Sequence, residues 1–280
     1  MQSKVCLITG ATSGIGLITA QALAQQGARV VLVGRDATRG ADSVERIKQA
    51  TGHDAVDLLL ADLSSQADIA KLAETFQNRY ERLDVLVNNA GAIFTERQVS
   101  LDGFEMTFAL NHLGYFLLTH LLLDRLKASA PSRIVNVASS AHRRGRIHLD
   151  DLQGERTFGA WRAYCQSKLA NIMFTYELAN RLHDTRVTVN TLHPGFVATR
   201  FGHNNSGIKA QFLRAAQVLA ISSEKGAETM IYLSGSPEVE GVSGKYFVNK
   251  HEGRSSPQSY DAAITEALWH VSEAMVGQVR

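Results

Sequence analysis

Tyr164 and Lys168, in the run Tyr164-Cys165-Gln166-Ser167-Lys168, are the pair in this chain best suited to proton chemistry. On a helix that spacing puts both side chains on one face, with Cβ atoms roughly 5–6 Å apart. An unperturbed phenol titrates near about pH 10, too high for an efficient acid–base group at neutrality. A neighbouring ammonium favours the phenolate and brings the group down toward a useful range. Alone, the same pair would be an aromatic ring covered by an aliphatic stem, so its meaning depends on companions.

The first companion is the turn Thr9-Gly10-Ala11-Thr12-Ser13-Gly14-Ile15-Gly16, which follows an apolar run and opens a helical pattern. Its glycines allow a tight turn and close approach of backbone to a pyrophosphate, and the helix N-terminus offers amides and a positive dipole end. Three residues separate the first two glycines, where the general dinucleotide fingerprint has one, so this is a different subclass. A βα turn without a ligand could carry the same glycines. The second companion is Gly34-Arg35-Asp36 at the end of the second apolar run. A carboxylate there accepts from the ribose 2′-OH of NAD, whereas a guanidinium pairs with the 2′-phosphate of NADP. Arg35 favours NADP. Asp36 stands either as the ribose ligand or as the N-cap of the next helix, and Arg39 either assists or is solvated.

These residues need elements to hold them. Short apolar runs at 5–9, 29–33, 56–60, 85–88, 134–138, 187–192 and 245–248 are predicted strands. Stretches at 15–26, 67–80, 101–126, 162–183 and 223–234 carry apolar residues at three- and four-residue spacing and are predicted helices. Strands without polar alternation are buried on both faces, and strand-helix-strand succession implies right-handed crossovers in a mostly parallel sheet. The fold class is α/β, a single Rossmann-like doubly wound domain over 1–280 with about seven strands. Ligands bind beyond the carboxyl ends of such strands, which is where the candidate residues fall.

The bulk properties narrow the function. The net charge of +2, from 29 basic and 27 acidic residues, supplies no field for nucleic acid or anionic lipid. Two cysteines, Cys6 within an apolar run, fit buried thiols in a reducing compartment. The apolar run starts after four residues, leaving no room for a signal peptide, and the expected location is cytoplasmic. The apolar stretch 115–123 is interrupted by His120 and ended by Asp124, short of the roughly 20 residues a membrane helix needs, so no membrane span is expected. No His-Glu-x-x-His, Cys-x-x-Cys or Gly-x-Ser-x-Gly motif is present, and no metal is expected. His193, before Pro194, reads as packing or hydrogen-bonded structure.

Thr-Gly-x-x-x-Gly-x-Gly at 9–16, Asp62-Leu63, Asn88-Asn89-Ala90-Gly91, Tyr-x-x-x-Lys at 164–168 and Pro194-Gly195 occur in order at successive strand ends and on the helix between them. The chain therefore resembles the short-chain dehydrogenase/reductase family from end to end. By that resemblance Gly10, Thr12, Ser13, Gly14, Ile15 and Gly16 cradle the phosphates, Asp62 and Leu63 hold the adenine, and Asn89, Ala90 and Gly91 line the cofactor floor with Asn88 bracing the strand. Lys168 also bonds the nicotinamide ribose, and Pro194, Gly195, Val197 and Thr199 reach its carboxamide. Ser139 polarises the substrate carbonyl, with Ser140 beside it as the less favoured choice, and Asn111 helps hold a relay water. The segment between Ser139 and Tyr164, with His142-Arg143-Arg144-Gly145-Arg146, is long and similar to that of the retinol dehydrogenase-like carbonyl reductases. A solvated basic loop is the preferred account of its arginines over an acidic-substrate site. Residues 196–222 are the expected substrate lid, with Phe201, Phe212 and Leu213 as apolar wall.

The resemblance implies NADP(H)-dependent interconversion of an aldehyde or ketone, of hydrophobic character, and its alcohol, in a homodimer or homotetramer. The alternatives are a non-catalytic NADP(H)-binding scaffold or regulator, and a carbon–carbon double-bond reductase.

Overall fold

A computed structural model describes residues 1–195 and 222–277. Val197, Thr199 and all but the last residue of the expected lid lie outside them. The seven expected strands form as β1 (Val5–Thr9), β2 (Arg29–Gly34), β3 (Val56–Leu60), β4 (Val85–Asn88), β5 (Ser132–Val137), β6 (Val187–His193) and β7 (Lys245–Val248). An eighth, β8 (His251–Gly253), pairs antiparallel with β7. Asn249 and Lys250, both at positive φ (50° and 66°), make the two-residue hairpin turn that reverses the chain. Lysine in that position is not a turn signal, which is why β8 is absent from the sequence-based expectation.

The strand order is β3-β2-β1-β4-β5-β6-β7-β8, parallel except for the last pair. The order reverses between β1 and β4, the switch point at whose carboxyl ends ligands bind in such sheets. Helices α1 (Gly14–Gln25), α2 (Ala37–Thr51), α3 (Gln66–Arg79), α4 (Met106–Ala128), α5 (Ala160–Arg181), α6 (Ser223–Gly235) and α7 (Ala262–Val276) cover both faces. One apolar core joins α3, α4, α5 and α7 to the sheet through Phe76, Phe116, Phe174 and Trp269. The other joins α1, α2 and α6 through Leu23, Ile47 and Met230. Burial on both sides explains the unbroken apolar runs of the central strands.

The expected helix 101–126 starts later, at Met106. Leu101 sits in a turn, 93% exposed, while buried Glu105 caps the helix by accepting from the amides of Thr107 (2.9 Å) and Phe108 (2.8 Å). Within α4 the segment Ala109–Leu113 widens into a π-turn, and Asn111 lies on it. Among the described residues, α4 alone is long and apolar enough to cross a membrane. Its apolar window is 72% buried inside the protein, as a core helix requires.

Candidate active site

The glycine turn and the end of β4 are tied together at the switch point. The Thr9 hydroxyl donates to Val87 O (3.2 Å) and accepts from the amides of Asn89 (2.8 Å) and Ala90 (3.1 Å). The Asn89 side chain donates back to Thr9 O (2.8 Å). There is no space here for side chains: a Cβ on Gly16 would stand 2.5 Å from Gly10 O and 2.6 Å from Asn89 Nδ2. Gly10 and Gly14 hold φ of +64° and +56°, which glycine alone adopts without strain. Ser13 is the N-cap of α1 but makes no side-chain cap bond, and Ile15 and Gly16 are buried beneath the turn. The methyl of Thr12 covers Gly34, where a Cβ would be 2.6 Å away. This cradle fits a dinucleotide: bare backbone, uncapped first-turn amides and no acidic side chain in the turn.

At the end of β2, Arg35 is exposed. Asp36 is the N-cap of α2: its carboxylate accepts from the Arg39 amide (2.9 Å) and pairs with the Arg39 guanidinium (3.1 Å). Asp62 makes a local turn, accepting from the Ser64 amide (2.9 Å) and hydroxyl (2.7 Å). Leu63 is buried, with its carbonyl against Gly114 of α4. Pro194 and Gly195, the latter at φ +87°, follow β6.

Beside this switch point lie the expected chemical groups. Tyr164 is 7% exposed, and Lys168 Nζ stands 5.8 Å from its ring centroid. The lysine ammonium donates to Val137 O (3.1 Å), and among the described residues no carboxylate pairs with it. Burial pulls its pKa down to about 7. The Ser139 hydroxyl lies beside the Tyr164 phenol and favours its ionised form, whereas Ser140 is exposed and presents its amide to His193, so the first serine is the one at the site. Asn111 is buried and clamps Ala92, accepting from its amide (2.9 Å) and donating to its carbonyl (2.9 Å), while also donating to Ser167 Oγ (3.0 Å). Gly91 fits between: a Cβ there would lie 3.1 Å from Asn111 Oδ1 and 3.3 Å from Lys168 Nζ. Asn88 donates to Thr119 and Asn136 (2.9 Å each), bracing β4 against α4 and β5.

One sequence expectation changes. In the protein by itself the phenol is not depressed: burial raises Tyr164 to about 12, and the neighbouring Ser139 hydroxyl only partly offsets it. Arg143, Arg144 and Arg146 are exposed, as a solvated basic loop requires, while His142 beside them is fully buried. Two further residues stand at the site that no sequence motif singled out. Tyr115 is buried with its ring centroid 5.7 Å from Lys168 Nζ, and Trp161 is 51% exposed with its ring 5.7 Å from that of Tyr164. Trp161 stands one helical turn before Tyr164, a spacing that could have pointed to it. His193 accepts from the Ser140 amide (3.1 Å), as a structural histidine should. Among the described residues, no group of three or more His, Cys, Asp or Glu side chains is placed to hold a metal.

Known proteins resemble this chain in sequence and in fold. Residues 4–208 match the family model for short chain dehydrogenases. The chain is 43% identical over 296 residues to retinol dehydrogenase 14 of Homo sapiens, spanning 100% of this chain and 88% of that protein. It is 42% identical over 277 residues to human retinol dehydrogenase 11, spanning 99% and 87%. A Mycobacterium paratuberculosis protein of solved structure superposes with a TM-score of 0.78 at 31% identity, over 99% of this chain and 94% of that one. The Pseudomonas aeruginosa RhlG/NADP active-site complex gives a TM-score of 0.70 at 29% identity, over 88% and 94%. The chain belongs to the short-chain dehydrogenase family of oxidoreductases and, within it, is similar to the retinol dehydrogenases.

Proposed function

We propose that the protein interconverts an aldehyde or ketone of apolar character and its alcohol, with NADP(H) as redox partner. The observation that carries this is the cluster of Ser139 with the buried Tyr164 and Lys168 beside the glycine cradle. The bound nicotinamide cofactor supplies or accepts the hydride. In reduction, the Tyr164 hydroxyl gives its proton to the carbonyl oxygen as charge develops there, while Ser139 donates a hydrogen bond to the same oxygen. In oxidation, Tyr164 must take the alcohol proton, and the raised phenol opposes that. The positive charges of Lys168 and of an oxidised nicotinamide both favour phenolate and act against burial. Asn111 holds the Ala92 backbone and Ser167 in place behind Lys168. The retinol dehydrogenase relatives favour carbonyl–alcohol chemistry over the scaffold and double-bond alternatives.

NADP preference rests on the end of β2. With its carboxylate committed to capping α2 and to Arg39, Asp36 is a poor ribose ligand, and Arg35 is the strand-end group suited to a 2′-phosphate. Fluorescence titration with NADPH and NADH tests this: NADPH binds more tightly, and Arg35→Ala removes the difference. Better NADH binding by the wild type would transfer the role to Asp36. Val197 and Thr199 keep their proposed place at the nicotinamide carboxamide. A cytoplasmic location agrees with two buried free thiols, Cys6 and Cys165, and subcellular fractionation checks it. The proposed homodimer or homotetramer would be rejected by light scattering that shows only monomer at micromolar concentration.

A further inference from the structure

Ser139 is held by a buried histidine. Its carbonyl accepts from the amide of His142 (3.1 Å) and from His142 Nδ1 (2.5 Å), and His142 Nε2 receives the amide of Ser256 (3.1 Å). A carbonyl can only accept and an amide can only donate, so the two partners fix the neutral Nδ1–H tautomer. The imidazole is fully buried, with the ring of Tyr246 edge-on at 5.1 Å.

The far end of this bridge is firmly anchored. Arg143 donates to Arg254 O (2.8 Å), and Ser255 Oγ bonds both Tyr176 Oη (2.7 Å) and Ser259 Oγ (2.6 Å). Tyr176 stacks on Tyr260 at 5.4 Å, joining residues 254–260 to the helix that carries Tyr164 and Lys168. The near end reaches the site twice, since Ser139 lies beside the Tyr164 phenol and Ala141, in the same turn, belongs to the same apolar cluster as Tyr164.

We propose that His142 is a positioning residue: it transmits the fixed position of residues 254–260 to Ser139 and so sets where the Ser139 hydroxyl meets the Tyr164 phenol. It touches neither substrate nor cofactor. Its effect on turnover rests on the oxidoreductase reading above, whereas its effect on the Ser139–Tyr164 geometry does not.

The two arms can be separated by substitution. In His142→Asn the amide nitrogen falls near the place of Nδ1 and can still donate to Ser139 O. In His142→Gln the amide reaches the place of Nε2 and serves only Ser256, and His142→Leu serves neither. With NADPH and a carbonyl substrate, kcat per NADPH-binding site should fall about tenfold to a hundredfold in the Leu and Gln variants and much less in Asn. KM and NADPH affinity should stay within about twofold of wild type, as expected when only the reacting geometry slips. The second readout is the Tyr164 resonance in [13Cζ]tyrosine-labelled protein, assigned with Tyr164→Phe, which requires no turnover. It should move in the Leu variant as it moves in Ser139→Ala, and stay near wild type in Asn.

A wild-type-like Tyr164 signal in folded His142→Leu would overturn the proposal, as would equal kcat losses in Asn and Leu. If the wild-type protein turned over no carbonyl substrate while the resonance shifted as described, the oxidoreductase reading would fail and the positioning role would stand.

Discussion

At the scale of single residues, burial moves Tyr164 and Lys168 in opposite directions. Desolvation raises one to about 12 and lowers the other to about 7, which brings the lysine's titration near neutrality. Removing the phenolic oxygen in Tyr164→Phe should cost on the order of 10²–10⁴ in kcat and leave NADPH binding intact. Single-turnover kinetics with a fluorescence titration on the same sample checks both halves. Trp161, half exposed and tilted against the Tyr164 ring, offers an apolar wall at the mouth of the site. Trp161→Ala is expected to raise KM for aromatic or long-chain aldehydes roughly fivefold to tenfold, with little change for small ones. An equal change for both substrate classes would remove Trp161 from the pocket.

At the scale of elements, the ends of β1 to β6 each deliver residues of the site. The N-cap of α2 shows how a local rule can settle a functional choice. Asp36→Ala removes the cap bond to the Arg39 amide and should cost about 1 kcal/mol of stability, read as a lower urea midpoint. It should leave NADH affinity unchanged. A specific loss of NADH binding would instead make Asp36 the ribose ligand. The π-turn in α4 is a second case. The sequence there reads as plain helix, but the widened turn places Asn111 against Ala92 and Ser167. Most of the element pattern was legible because periodicity and turn chemistry are properties of neighbouring residues. The start of α4 was not, because it depends on Glu105 being buried and turned back to cap it.

At the scale of the whole molecule, folding buries several imidazoles in neutral form. Burial lowers His112 and His193 from 6.5 to about 4, and lowers His142 as well. Between those values the unfolded chain binds more protons than the folded one, so stability decreases as pH falls through that window. Stability is fully present above about 6.5, the unfolded value, and is lost progressively toward about 4. Urea unfolding at about pH 7, 6 and 5 should show a steadily falling midpoint, and a flat one would refute the assignment of neutral buried histidines.

The sequence by itself determined the doubly wound fold, the glycine cradle, the Tyr164–Lys168 pair and the order of strand-end residues. Each is written in spacing within one element or in the residues next to it. The tertiary structure alone decided that Asp36 caps rather than projects, and that burial raises the phenol in the protein by itself. It also took His142 out of an apparently basic loop and joined it to an amide 114 residues away. Those outcomes depend on desolvation and on hydrogen-bond partners brought together by the fold, and neither is encoded in local spacing.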